Sequence, residues 1–285
     1  MKPSVIAWDL ETVPDLAGFA AANDLVGKSN VEVREAMGDK FPKHIYHSIV
    51  CIGALVAHRE PDYWAVDAIG APHVGERTEK QLISAFCDRI AELNPQLVTF
   101  NGNSFDLPVL RYRAMVHGVS APGLSARPYF HRYTEDAIDL CDVFSSFSPQ
   151  GKATLHEISR VMGLPGKPKG FDGGEVERHF REGKIKEIAD YCETDVVGTY
   201  QVWLRYELFR GTLSQDAFQA SRQNLSDFMN RKANMIPRSA QHQDRQSARP
   251  RSAGNAARPR RRGDRMKRRE LFVSFSSPSN GHFLH

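Results

Sequence analysis

Apolar and polar residues follow one another along this chain in blocks that predict a mixed α/β fold. Short apolar runs typical of buried strands lie at 4–9, 48–57, 62–68, 96–100 and 137–140. Longer stretches with helical spacing lie at 77–92, 107–117, 153–162, 174–181, 184–209 and 214–229. The second and third strands flank a short segment that ends in Pro61, which indicates a hairpin. We therefore expect antiparallel strands first, then strands that alternate with helices, in one sheet flanked by helices.

The first predicted strand leads into two carboxylates. Because side chains in a strand alternate between faces, Asp9 and Glu11 project to the same face, with Leu10 turned away. No basic residue stands beside them, so the two acids repel each other and a cation would offset that repulsion. Taken alone, the stretch also fits a solvated strand end, where Asp-x-Glu is common.

The long helix predicted at 184–209 carries a second polar pair. Tyr191 and Asp195 are four residues apart and therefore lie one turn apart on the same face. A phenol and a carboxylate placed in this way can bind one shared ligand. The alternative is a helix that places the tyrosine at the edge of the core and leaves Asp195 in solvent.

A third carboxylate follows the apolar run at 96–100. Asn101 begins a turn, and Phe105-Asp106 then opens a predicted helix whose first turn contains Pro108. A negative charge is favoured near a helix N-terminus, so an ordinary helix cap is the alternative for Asp106.

Taken in order, the three stretches contain Asp-x-Glu-Thr, Asn-x-x-x-Phe-Asp and Tyr-x-x-x-Asp. This order resembles the DEDD superfamily of 3′–5′ exonucleases, which are DnaQ-like and ribonuclease H-like. The nearest subgroup is the one related to the proofreading exonuclease of family B DNA polymerases. The resemblance covers about residues 1–235 and includes the helix that begins near Leu155 and the glycine-rich turn at 162–167. In the histidine branch, the catalytic His stands five residues before the last Asp. Position 190 is Asp, so the chain resembles the tyrosine branch.

The resemblance implies a ribonuclease H-like mixed sheet and hydrolysis of phosphodiester bonds with two Mg²⁺ or Mn²⁺ ions about 4 Å apart. It implies that Asp9 bridges both ions and that Glu11 and Asp195 hold the ion that carries the attacking water. Asp106 would hold the second ion, partly through waters. Tyr191 would orient the nucleophilic water.

Three further residues are candidates for substrate binding. By the same resemblance, Thr12 and Asn101 would contact the terminal nucleotide. Phe105 could stack on a base, although a place in the core is the preferred interpretation for this residue.

Composition sets limits on the cellular setting. The chain has 285 residues, of which 41% are hydrophobic, and no run of 18 apolar residues predicts a membrane span. The first apolar run is broken at Asp9, which argues against a signal peptide. The cysteines at 51, 87, 141 and 192 lack metal-site spacing and fit reduced core thiols. We therefore expect a cytoplasmic protein without a membrane partner.

Two segments depart from the α/β pattern. Residues 15–46 fit no regular element and carry a basic cluster at Lys40, Lys43 and His44, so we interpret them as an insertion beside the active site, with a solvated loop as the alternative. We predict an exonuclease domain at 1–235 and a basic tail at 236–285.

The tail holds nearly all of the excess positive charge. Residues 238–270 contain twelve Lys and Arg against three acids, a net charge of +9. Since the whole chain carries +4 and 271–285 is uncharged, residues 1–237 carry −5. Such a composition predicts disorder. Either the tail holds nucleic acid nearby through its phosphates, or it is an aberrant ending produced by a frame disruption.

These observations predict a metal-dependent 3′–5′ exonuclease that releases nucleoside monophosphates, with single-stranded DNA as the favoured substrate. An exonuclease acting on RNA and a nucleic-acid-binding module with a degenerate active site are the alternatives. A DNA polymerase or a repair protein acting in trans is a candidate partner.

Overall fold

The computed structural model describes residues 2–166 and 173–235. The predicted basic tail at 236–285 and the end of the glycine-rich turn, from Lys167, lie outside the described residues. The predicted domain boundary at 235 stays a prediction.

A five-stranded sheet forms the centre of the fold. Its strands are β1 (Ser4–Pro14), β2 (His47–Arg59), β3 (Trp64–Gly70), β4 (Gln96–Thr99) and β5 (Ala137–Asp139), in the order β3-β2-β1-β4-β5. β2 is antiparallel to both β1 and β3, and β1, β4 and β5 are parallel. The predicted hairpin and the mixed ribonuclease H-like α/β class are both confirmed.

Helices cover both faces of the sheet. The first five are α1 (Leu16–Ala22), α2 (Asn30–Met37), α3 (Glu79–Leu93), α4 (Asp106–Val116) and α5 (Gly123–Ala126). The others are α6 (Leu140–Phe144), α7 (Leu155–Val161), α8 (Val176–Arg181), α9 (Ile185–Phe209) and α10 (Gln215–Met235). Among the described residues, no helix is both long and apolar enough to cross a membrane.

The segment 15–46 was expected to lack regular structure, and this expectation is wrong. It contains α1 and α2. Ser29 and Glu32 form a reciprocal capping box at the start of α2. Val33 is the buried residue of α2, so the helix has too narrow an apolar face to give a periodic signal. Whether the segment is an insertion stays a prediction.

Alternation along β1 separates the core into two layers. Val5 and Ala7 pack in the layer formed with α9 and α10, whereas Ile6, Trp8 and Leu10 pack in the layer formed with α3 and α4. The odd positions of β1 therefore face α9, and Asp9 and Glu11 extend that face beyond the apolar residues. β1 reaches Pro14, five residues past its predicted end.

Candidate active site

A cavity of about 740 Å³ opens where β1, the turn after β4, the start of α4 and the middle of α9 meet. The structure brings together at this cavity all eight residues that the sequence singled out. They are Asp9, Glu11, Thr12, Asn101, Phe105, Asp106, Tyr191 and Asp195.

Asp9 and Glu11 lie close together on the α9 side of β1. Ligand atoms of Asp9, Glu11 and Cys192 all fall within 4.8 Å of one another. Glu11 exposes only 6% of its surface, and Asp9 is half-buried. A solvated strand end therefore does not describe this stretch. The expected shared face is present, even though the pairing of β1 with β2 shifts register between Glu11 and Thr12.

Asp106 reaches from the first turn of α4 to the backbone of β1. One of its carboxylate oxygens accepts a hydrogen bond from the Leu10 N–H at 3.1 Å, and α4 has no side-chain cap hydrogen bond. Asp106 thus stands in the first turn of α4, and its carboxylate also bonds to the backbone of β1, which an ordinary helix cap does not require. Burial, and more weakly the negative charge of Asp139, raises the pKa of Asp106 to about 7. A nearby cation would favour the charged form of this carboxylate.

Tyr191 and Asp195 point from α9 toward the same carboxylates. Both are buried, so the alternative that left Asp195 in solvent is wrong. Burial raises the pKa of Tyr191 well above its usual value. The charges of Asp195, Glu11 and Asp9 and a hydrogen bond with Asp195 act in the same direction. The phenol therefore keeps its proton at neutral pH and is a hydrogen-bond donor within a group of acids.

Cys192 lies beside Asp9 but is a poor ligand for a hard cation. Its sulfur is 3.8 Å from the Asp9 carbonyl oxygen, and the residue is fully buried against Val13 and Cys51. A hydrogen bond with Cys51, together with burial, raises the pKa of the Cys192 thiol well above its usual range. A neutral thiol leaves the carboxylates as the donors for a metal ion.

Gly53 allows α9 to approach the sheet at this point. It lies opposite Asp9 in the pairing of β1 with β2. A Cβ on Gly53 would come within 2.6 Å of Cys192 Sγ and 3.1 Å of both the Cys192 carbonyl oxygen and Val196 Cγ1. The absence of a side chain at position 53 thus places Tyr191 and Asp195 near β1. A glycine inside a predicted strand is a signal of close approach, although it does not identify the approaching element.

We expect Gly53→Ala to destabilise the protein by about 1–3 kcal/mol, the usual range for overpacking a well-packed core. The added methyl group must displace the Cys192 sulfur, which lies 2.6 Å from it, and it also presses on the Cys192 carbonyl oxygen and on Val196 in helix α9. Urea unfolding monitored by circular dichroism measures the change. The matched control is Gly70→Ala on the neighbouring strand β3, where a Cβ meets nothing within 4 Å. Equal unfolding midpoints for the two variants would contradict the assigned close approach.

The three candidate substrate residues lie on the walls of the cavity. Asn101 is exposed in the turn after β4, and its side-chain oxygen accepts a hydrogen bond from Lys152 at 2.9 Å. The Thr12 hydroxyl lies 3.0 Å from Nδ1 of His47. Phe105 is half-buried, because one side packs on the core layer formed with α3 and α4 and the other lines the cavity. Their contacts with a nucleotide stay predictions.

Asp139 was not predicted from the sequence, yet its carboxylate holds the turn after β4. It accepts hydrogen bonds from the backbone N–H groups of Asn101 and Asn103 at 2.7 and 3.0 Å, and from Cys141 at the start of α6. The sequence signal available for Asp139 was its position near the end of a short apolar run. Its partners in the turn are 38 and 36 residues away along the chain, so the sequence alone did not identify them.

Comparison with known proteins gives one family match. Residues 39–245 match the model of a family described as a predicted 3′–5′ exonuclease related to the exonuclease domain of PolB. The matched range contains Asp106, Tyr191 and Asp195 and begins after Asp9 and Glu11.

Similar curated proteins are catalytic subunits of DNA polymerase epsilon. The one from Aspergillus fumigatus is 27% identical over 195 residues, which is 59% of this chain and 8% of the relative. The one from Schizosaccharomyces pombe is 28% identical over 195 residues, 59% of this chain and 9% of the relative. The one from Kluyveromyces lactis is 24% identical over 237 residues, 72% of this chain and 9% of the relative. The matches thus span less than a tenth of each relative's length.

Proposed function

We propose, since the chain belongs to the family of predicted 3′–5′ exonucleases related to the exonuclease domain of PolB, that it removes nucleotides from the 3′ end of single-stranded DNA. One observation carries the proposal: three segments far apart in sequence bring Asp9, Glu11, Asp106, Tyr191 and Asp195 to one cavity.

The donor set fits two Mg²⁺ or Mn²⁺ ions. Asp9, Glu11, Asp106 and Asp195 offer carboxylate oxygens, which are the ligands that such hard cations prefer. Burial raises the pKa of Asp106, and a nearby positive charge would stabilise the ionised form of its carboxylate. When bound, the divalent ions supply an activated water at neutral pH and stabilise the charge on the leaving oxygen.

Hydrolysis adds water to the phosphorus atom and breaks its bond to the 3′ oxygen of the preceding nucleotide. That oxygen takes a proton, and a nucleoside 5′-monophosphate leaves. Tyr191 remains protonated and therefore orients the attacking water through a hydrogen bond rather than acting as a base. Lys152 and the exposed Lys40 line the same cavity and place positive charge where a phosphodiester would enter.

A digestion experiment tests the proposal. DNA and RNA strands of one sequence, labelled at the 5′ end, are incubated with the protein and Mn²⁺ or Mg²⁺. We expect a ladder that shortens from the 3′ end of DNA, release of monophosphates on chromatography, and no digestion with EDTA. Faster digestion of RNA would identify an exoribonuclease. Binding without digestion of either strand, together with no divalent-ion binding by calorimetry, would identify a degenerate binding module.

We also propose a DNA polymerase or a repair protein as the partner, acting on the same 3′ ends. The support is that the curated relatives are named as polymerase catalytic subunits. The four cysteines are all free and buried, which supports the expectation of a reducing, cytoplasmic setting.

The basic segment at 236–285 is expected to affect binding and not chemistry. A truncation after Met235 should keep its turnover at saturating DNA, because the candidate catalytic residues all lie before position 196. The affinity of the truncated protein for DNA should fall. The slope of log binding constant against log salt should become less negative by about 0.7 for each phosphate that the shortened protein no longer neutralises. Fluorescence anisotropy of labelled DNA at several salt concentrations measures both quantities. Equal slopes with improved solubility would instead favour an aberrant ending.

A further inference from the structure

A buried arginine on α4 forms an ion-pair network that the proposed chemistry does not use. Arg113 exposes only 5% of its side chain. Its Nε and Nη2 donate to the two carboxylate oxygens of Glu79 at 2.7 and 2.6 Å, and its Nη1 donates to Asp15 at 2.6 Å. Both acids are themselves largely buried, so one guanidinium neutralises two carboxylates away from solvent.

Each of the two acids is also bound to the backbone of an element near the candidate site. Asp15 directly follows β1, and its carboxylate accepts a hydrogen bond from the Gly18 N–H in α1 at 2.9 Å. Glu79 begins α3, and its carboxylate accepts a hydrogen bond from the Ile49 N–H on β2 at 2.7 Å. Arg113 therefore joins α4 to the end of β1 and, through Glu79, to the beginning of β2.

Arg113 and Asp106 share one buried face of α4, because they are seven residues apart, which is about two helical turns. The Asp106 carboxylate accepts a hydrogen bond from the Leu10 N–H on β1 at 3.1 Å. Arg113 binds Asp15 just past the end of the same strand. α4 is thus held against β1 at two points, and Glu11 lies on the strand between them.

The network contributes geometry more than stability. Moving charges out of water costs free energy that largely offsets the attraction between them, so a buried ion pair is weak evidence for a stable fold. A guanidinium is, however, a rigid planar fork that fixes the orientation of its partners. Arg113 lies outside the cavity, so its effect on the site passes through the position of α4 and of Asp106 on it.

We propose that Arg113 is a positioning residue that sets the distance between the Asp106 carboxylate on α4 and the two carboxylates on β1, and thereby the affinity of the site for divalent ions. The inference rests on the proposed exonuclease function and identifies a residue on which its metal site depends. Ligands from two elements bind one site tightly only where the elements are held at the right separation. Here the contact between Arg113 and Asp15 holds them.

Two substitutions weaken this anchor and leave the buried charges balanced. Arg113→Lys keeps the positive charge but replaces the planar fork by one ammonium group, which cannot make the same paired contacts. Asp15→Asn keeps an oxygen that can accept from the Gly18 N–H and leaves Arg113 bound to Glu79. It weakens the contact with Arg113, because a neutral acceptor forms a weaker hydrogen bond than a carboxylate.

Calorimetry with Mn²⁺ and hydrogen exchange of the metal-free protein measure the outcome. Both variants should bind Mn²⁺ about 10- to 100-fold more weakly than the wild type, the range for groups that orient a metal ligand without touching the ion. Without metal, the Leu10 N–H should exchange faster in both variants, because Asp106 holds it less firmly. The N–H groups of β3 should exchange at the wild-type rate, which a general loss of stability would not allow.

The matched control is Arg127→Lys. Arg127 also forms an ion pair with an aspartate, Asp136, but this pair precedes β5 at the end of the strand away from the cavity. This variant should match the wild type in Mn²⁺ affinity and in exchange of the Leu10 N–H.

Wild-type Mn²⁺ affinity in Arg113→Lys, in a protein that unfolds cooperatively, would overturn the inference. If Arg113→Lys does not fold, the same measurement on Asp15→Asn decides. Weaker Mn²⁺ binding with unchanged exchange of the Leu10 N–H would also overturn the inference, because the loss would then not pass through Asp106. These results leave the exonuclease in place, whereas a wild type that neither binds Mn²⁺ nor digests DNA would overturn the proposed function itself.

Discussion

Asp9→Ala is expected to lower the rate of 3′-end digestion by at least about 1000-fold. Ligand atoms of Asp9 and Glu11 lie within 4.8 Å of each other on β1, and the charge of Asp9 acts on the phenol of Tyr191 on α9. Charge stabilisation by bound divalent ions is worth several kcal/mol, and each 1.4 kcal/mol is tenfold in rate. Removal of a carboxylate that holds the ions should therefore remove most of the catalysis.

The fold should survive this substitution, because Asp9 is half-buried at the rim of the core and not within it. A thermal melt provides a second measurement. Mn²⁺ should raise the melting temperature of the wild type, since an ion that binds only the folded state stabilises it, and this increase should be much smaller in Asp9→Ala.

The matched control is Asp190→Ala, which removes an exposed carboxylate one residue before Tyr191 that is paired with Lys186. This variant should keep wild-type activity and the wild-type response to Mn²⁺. Near wild-type digestion by Asp9→Ala, with Asp190→Ala behaving identically, would show that the metal site has been assigned to the wrong residues.

Tyr191→Phe is expected to lower kcat about 10- to 1000-fold, the range for losing one group that positions a reactant. The substitution removes only the hydroxyl and leaves the ring that fills the space between α9 and β1. Metal affinity should stay the same, because a phenol whose pKa is raised by burial and by three carboxylates keeps its proton and is not a ligand. Single-turnover rates and Mn²⁺ calorimetry separate the two quantities.

The control for this prediction is Tyr200→Phe on the same helix. Tyr200 is fully buried in the core layer formed with α10, and its hydroxyl finds no hydrogen-bond partner in the part of the chain that the structure describes. Loss of that hydroxyl should leave kcat unchanged. If Tyr191→Phe weakened Mn²⁺ binding as strongly as it lowered kcat, Tyr191 would have to be a ligand instead.

The convergence of the candidate site residues could be predicted from the sequence mainly because these residues stand in regular elements. Asp9 and Glu11 continue the alternation of β1, and Tyr191 and Asp195 share one face of α9. For Asp106 the sequence allowed two interpretations. The choice between them depended on the Leu10 N–H, 96 residues away along the chain.

What could not be predicted depends on tertiary neighbours. Gly53 signals a close approach, but only the fold shows that Cys192 on α9 is the neighbour. Phe41 lies in the segment 15–46, whose helix α2 buries only Val33. The sequence of this segment therefore has no periodic apolar pattern from which its structure could be predicted. The ring of Phe41 meets those of His47 and Phe105 only when β2 and the turn before α4 come together.

The hydrogen bond between Leu10 and Asp106 has a consequence for the edge of the sheet. β4 pairs with β1 only from Val5 to Ala7, and among the described residues no strand adjoins β1 beyond Ala7 on that side. The Asp106 carboxylate occupies the place of the absent strand and satisfies the N–H of Leu10. Replacing Asp106 by alanine would therefore remove a candidate metal ligand and open a strand edge at once. Asparagine keeps a carbonyl oxygen for the strand, so an Asn variant separates the lost charge from the exposed backbone.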